Sequence, residues 1–132
     1  MATLTLNDYN QNRYNLKLTK GLAKLLLSIG VVVCVEKYVN GNSGYRIYSD
    51  GYCEQWGMFN GKNVTLLIPH INTSYSITLG KRTTREQSSS VNNILSSKVT
   101  NKGFYATCNN NDTVVGNPVG YWVTRGYINY AL

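Results

Sequence analysis

The stretch that most constrains this chain is residues 44–58, Gly-Tyr-Arg-Ile-Tyr-Ser-Asp-Gly-Tyr-Cys-Glu-Gln-Trp-Gly-Met. Two runs rich in aromatic and β-branched residues flank Ser49-Asp50-Gly51. Asp50 suits a tight turn and Gly51 can take positive φ without a Cβ clash. The pattern predicts a β-hairpin with a three-residue loop and Gly51 at the left-handed position of a bulge. That register sets Tyr48 opposite Tyr52, Ile47 opposite Cys53 and Arg46 opposite Glu54. One face then carries Arg46, Tyr48, Tyr52, Glu54 and Trp56, and the other carries Tyr45, Ile47, Cys53 and Gln55. Arg46 and Glu54 are expected to form a cross-strand charge pair worth roughly 0.2–1 kcal/mol. A two-residue loop would pair Tyr45 with Trp56 and part those charges, so the three-residue loop is preferred.

Composition agrees with a β protein. Charged residues are 14% of the chain, against about 25% in an average globular domain. Asn, Ser, Thr, Gly and eleven tyrosines fill the difference. The net charge of +7 is spread along the chain, with one local cluster at Lys81, Arg82 and Arg85. We read that cluster as a solvated or ligand-contacting loop and expect no nucleic-acid partner. The longest apolar run, residues 25–35, is far short of the ~20 residues of a membrane helix, so no membrane insertion is expected. It is read instead as a core or intersubunit segment.

Alternation at 2–8 predicts a first strand, and 7–15 reads as loop. Residues 15–30 fit either helix or strand; Leu22, Leu25, Leu26 and Ile29 recur at helical spacing, giving a short helix over 19–28 ended by Gly30. A strand over 31–38 follows. The turn cluster 40–44 is the expected boundary between an N-terminal anchor or packing segment, 1–43, and a β domain, 44–132. Further strands are expected at 64–68, 74–79, 91–99, 104–108 and 120–130, the last weakened or bulged at Gly126. About eight regularly spaced strands imply an all-β, antiparallel sandwich of jelly-roll-like type. Two polar loops, 80–90 and 109–118, separate them. Arg82, Arg85, Asn109, Asn110, Asn111 and Asp112 are the candidate ligand-binding residues, because loops on rigid scaffolds usually carry recognition groups.

Signs of enzymatic chemistry are few. Cys34, Cys53 and Cys108 are odd in number and lack metal-ligand spacing. They read as free thiols, a Cys53–Cys108 disulfide being the other arrangement weighed. The single histidine, His70, reads as a packed strand-end residue, with a metal site on a three-fold axis as the lesser reading. Asp50 and Glu54 have the look of a carboxylate pair, but the turn needs Asp50 and Arg46 faces Glu54. Trp56 and Trp122 are expected in the core. No catalytic residue, metal or cofactor is assigned, and the chain is read as a binding module rather than an enzyme.

Residues 45–57, Tyr-Arg-Ile-Tyr-Ser-Asp-Gly-Tyr-Cys-Glu-Gln-Trp-Gly, resemble the signature opening the C-terminal domain of bacteriophage tail-fibre and receptor-binding proteins. Leu67-Ile68-Pro69, Asn72-Thr73-Ser74-Tyr75-Ser76-Ile77 and residues 121–128, Tyr-Trp-Val-Thr-Arg-Gly-Tyr-Ile, agree in that order. The resemblance spans about residues 38–132; it does not cover 1–37 and carries nothing onto His70. It implies an all-β fold, homotrimeric assembly, a place on a virion assembled in the bacterial cytoplasm, other fibre or capsid proteins as partners, and binding to a host-surface glycan. A head-fibre, decoration or connector protein with an assembly role only is the alternative.

Overall fold

The computed structural model describes residues 13–82, 90–110 and 113–132. The strand expected at 2–8, and Arg85, Asn111 and Asp112, lie outside these residues. Helix α1 (Arg13–Ser28) is followed by strands β1 (Cys34–Asn40), β2 (Ser43–Tyr48), β3 (Tyr52–Asn60), β4 (Asn63–Thr65) and β5 (Ser76–Lys81). Then come β6 (Val91–Ile94), a 3₁₀ turn (Ser96–Lys98), β7 (Gly103–Asn110), β8 (Thr113–Gly116) and β9 (Val119–Tyr127). One sheet has the order β1-β2-β3-β9-β5; the other has β4-β7-β6, with β8 also paired to β7. All pairings are antiparallel.

The hairpin forms in the expected register. Ile47 pairs with Cys53, Arg46 with Glu54, Tyr45 with Gln55 and Gly44 with Trp56. Gly51 has φ +88°, a conformation that costs glycine little. The Asp50 carboxylate accepts a hydrogen bond from the Tyr52 amide at 3.0 Å, bracing the turn.

Several expectations are corrected. The helix starts at Arg13, inside the stretch read as loop, and runs to Ser28. Its end is as expected: the Gly30 amide donates to Leu27 O and Val31 N–H reaches Leu26 O, a Schellman closure. The 40–44 turn cluster joins β1 to β2 within one sheet, and Val35 packs with Ile47 and Cys53 across it. The strand read at 91–99 stops at Ile94 and gives way to the 3₁₀ turn. The loop read at 109–118 is mostly strand, since Asn109 and Asn110 end β7 and pair with Val114 and Thr113 of β8. Gly126 is no bulge; it pairs in register with Cys53. A Cβ there would lie 2.6 Å from Tyr75 Cβ and 3.0 Å from His70 Nδ1, so its bareness makes room for those two side chains.

Two apolar clusters fill the sandwich. Phe59 and Trp122 from the larger sheet meet Val64, Phe104 and Ala106 from the smaller, with Leu66 and Tyr75. Towards the 49–51 turn, Val35, Ile47, Cys53 and Ile128 pack against Ala23 of α1. Trp56 is the exception to the expected core: it sits on the outer face of the sheet, only partly buried.

A polar seam lies on the same inner face of the larger sheet as both clusters. Gln55 and Thr124, each 0% exposed, are opposite neighbours on β3 and β9. Gln55 Nε2 donates to Ile68 O at 2.7 Å and Gln55 Oε1 accepts from Ile68 N–H at 2.8 Å. The side-chain amide thus stands in for a strand partner beside the irregular 66–75 segment. His70, 2% exposed, follows. Its Nδ1 lies 3.3 Å from Tyr127 O, and its Nε2 lies 3.1 Å from Thr124 Oγ1 and 3.4 Å from Gln55 Nε2. One tautomer satisfies all three: Nδ1–H donates to the carbonyl, and Nε2 accepts from the hydroxyl and the amide.

Gln55→Leu keeps the volume but strips Ile68 of both partners. It is expected to lower unfolding free energy by about 3 kcal/mol, the scale of leaving buried backbone groups unpaired. Urea denaturation measures it, and an unchanged midpoint would contradict the role assigned to the amide.

Candidate functional site on the aromatic sheet face

Alternation along β2, β3 and β9 turns every second side chain away from the core. At the turn end of the larger sheet this produces an aromatic ladder. The Tyr48 and Tyr52 rings lie 5.7 Å apart, and Tyr52 meets Tyr127 edge-on at 5.7 Å. Tyr127 is half exposed. The next row holds Arg46, Glu54 and Arg125, because Arg46 pairs with Glu54 and Glu54 with Arg125 across β2, β3 and β9.

Here the expected charge pair is corrected. Among the described residues the ion pair of Glu54 is with Arg125, 3.8 Å away. Arg46 instead lies over the Trp56 ring, 5.6 Å from its centre. Glu54 is flanked by an arginine on each side, and the indole face offers Arg46 a second attractive partner. Sequence reasoning reached β2 and β3 but had no means of placing Arg125 beside them, since β9 is some seventy residues downstream.

Beside the ladder is a recess of about 370 Å³. Tyr52, Tyr127, Arg125, Asn72, Ser74 and Ser76 contribute to its walls, and His70, Tyr75 and Gly126 border it. Asn72 Oδ1 accepts from Ser74 N–H at 2.8 Å, bracing the rim, and Ile71 N–H donates to Tyr127 O at 2.9 Å, tying it to the sheet. Burial, then the neighbouring Glu54, raises the Tyr52 hydroxyl above its ordinary range, so the ring presents a neutral donor. The combination of aromatic faces, hydroxyls, an amide and a guanidinium suits a polar, hydroxylated ligand.

The other candidates sit elsewhere. Arg82 N–H donates to Val119 O, and Asn92 Nδ2 donates to the same carbonyl at 3.1 Å. Asn92 pairs with Cys108, next to Asn109. Arg82, Asn109 and Asn110 therefore gather at the end of the module opposite the 49–51 turn. The hairpin residues divide by face: Arg46, Glu54 and Trp56 look outward. Tyr45 looks inward, donates to Glu36 Oε1 at 3.0 Å and has its hydroxyl pushed up to about 12, first by burial and then by that bond.

His70 belongs to the framework rather than to a metal centre on an axis; both ring nitrogens are engaged inside the fold. The three cysteines are free, and burial raises the Cys53 thiol to about 12, which makes it a poor nucleophile.

The fold so described is similar to a solved tail fibre. The structure of an N-truncated R1-type pyocin tail fiber aligns with a TM-score of 0.51 and 16% sequence identity, covering 80% of this chain and 95% of that one. No protein-family model and no curated protein matches the sequence. The chain has a tail-fibre-like, all-β fold.

Burial lowers the His70 pKa below its ordinary 6.5, against a smaller upward pull from Tyr127 O. The unfolded chain then binds a proton that the folded one resists. Stability should be full above about pH 6.5 and decline as pH falls below it. Denaturant midpoints between about pH 8 and pH 5 read this out; His70→Gln should lower the plateau and flatten that slope.

Proposed function

We propose that this chain is a receptor-binding module of a bacteriophage tail or other virion fibre, attaching to a host-surface glycan as a homotrimer without catalysing a reaction. The observation that carries the reading is the tail-fibre-like fold, joined to an outward-facing, partly exposed aromatic ladder and recess on its larger sheet. Tyrosine rings stack on the apolar faces of sugars, and the recess supplies hydroxyl, amide and guanidinium partners for sugar oxygens. Arg82, Asn109 and Asn110 offer a second set of polar groups at the far end. Arg85, Asn111 and Asp112 remain candidates with them by sequence.

The trimeric part draws support from α1. Among its described side chains Ala23 is buried, while Leu25 is 64% exposed and Ile29, just past its end, 72%. Leu22, Val31 and Val32 are exposed beside them. Burying each large side chain against sister chains would stabilise the assembly by about 1.5–3 kcal/mol. Three copies on one axis then raise avidity by roughly 10²–10⁴ without new contacts.

Adsorption of the purified chain to host cells, with light scattering for mass, tests both parts. A trimer is expected to bind, and Tyr127→Ala with Arg125→Gln to reduce adsorption about tenfold or more at unchanged melting temperature. A stable monomer defeats the assembly part. A trimer that binds no host surface points to a decoration or connector role instead.

A further inference from the structure

The smaller sheet carries a groove that the reading above does not use. It has a volume of about 590 Å³ and runs between β4 and residues 97–105. Tyr105 stands in its wall, partly buried. Two ammonium groups approach that ring: Lys98 Nζ at 4.4 Å from its centre and Lys62 Nζ at 6.0 Å. Lys98 and Lys102 both line the groove, and the Thr65 and Ser97 hydroxyls add donors.

Hydrogen bonds brace the groove. Thr100 and Gly103 form a β-bridge, with Thr100 N–H donating to Gly103 O at 2.8 Å. Tyr75 Oη lies 2.8 Å from Thr100 O and 3.0 Å from Gly103 O and shares its one proton between them, pinning the turn that presents Lys102 to the core.

The described acids lie away from the groove. Among the described residues the acids are Glu36 on β1, Asp50 in the 49–51 turn and Glu54 on β3, all in or beside the larger sheet. No described carboxylate lines the groove. Lys98 and Lys62 at the ring and Lys102 in the groove wall, with no described counter-charge in the lining, favour an anion there. The ring adds apolar contact in the same space, and the volume suits a mono- or disaccharide better than a strand of nucleic acid, which calls for a longer basic track.

We propose that the Tyr105 groove is a second binding site, which takes an acidic saccharide: a sugar bearing a carboxylate or a phosphate, packed beside Tyr105 with its anion at Lys98 and Lys102. The site is independent of the tyrosine ladder and of the glycan assigned to it.

The test is a titration of the full chain with digalacturonate, glucose 6-phosphate, maltose and a short DNA duplex, following the NMR signals of Tyr105, Lys98 and Thr100. One or both acidic sugars should shift these signals, the responder naming the anion. Affinity should fall about tenfold in the Lys98→Gln, Lys102→Gln double variant and weaken in high salt, while Lys37→Gln leaves it unchanged. No response to either acid, an equal response to maltose, indifference to the double variant, or tighter binding of the duplex each overturns the proposal. Host-cell adsorption is scored separately: a groove that titrates in a protein that fails to adsorb sinks the receptor reading alone.

Discussion

The fold depends on one side-chain amide. Gln55 lies on the inner face of the larger sheet, fully buried, and does for Ile68 what a neighbouring strand would do. The chain between β4 and β5 has no strand partner of its own, and its polar backbone would be costly to bury. Gln55 answers Ile68, Asn101 O accepts from His70 N–H, and Tyr127 O accepts from Ile71 N–H. These bonds let an irregular crossing lie against the sheet. They also fix where β5 begins and so bring Ser74 and Ser76 alongside Arg125 at the recess.

The seam also packs directly beneath the outer sheet face. Gly126 is bare so that His70 and Tyr75 can stack beneath it, their rings 4.4 Å apart. Its neighbours Arg125 and Tyr127 point outward from the same strand. Framework and candidate surface are thus opposite faces of three consecutive residues, and a change that loosens the first would displace the second. The Tyr75 hydroxyl extends the coupling to the 100–103 turn of the smaller sheet.

Much of this was legible in the sequence where local rules govern. A glycine able to take positive φ, flanked by alternating aromatic and polar residues, identified the hairpin, its register and its two faces. The helix end at Gly30 was readable for the same reason. What escaped was non-local. Glu54 faces two arginines, and only the β3–β9 pairing brings Arg125 beside it. The indole of Trp56 was assigned inward by hydrophobicity, although its alternation with Gln55 set it outward. Asn109 and Asn110 looked like loop because asparagine disfavours strands, yet β6 and β8 pair with that end of β7 on either side and tertiary pairing overrides the propensity. The groove at Tyr105 had no sequence signature, because Lys62 reaches that ring only through the pairing of β4 with β7.

A low-charge, tyrosine-rich surface resolves a conflict built into adhesion on the reading proposed above. A single shallow site binds weakly, so attachment must come from repetition, and repetition multiplies any entropic loss at each site. Long charged side chains would lose much rotamer freedom on every contact. Tyr48, Tyr52 and Tyr127 have two torsions each and already rest on one another, so little freedom is left to lose. Arg125 is likewise restrained by Glu54. The same restraint accounts for the packing of Lys98 over Tyr105: an ammonium held by an aromatic face keeps its charge available while giving up part of its motion before any ligand arrives.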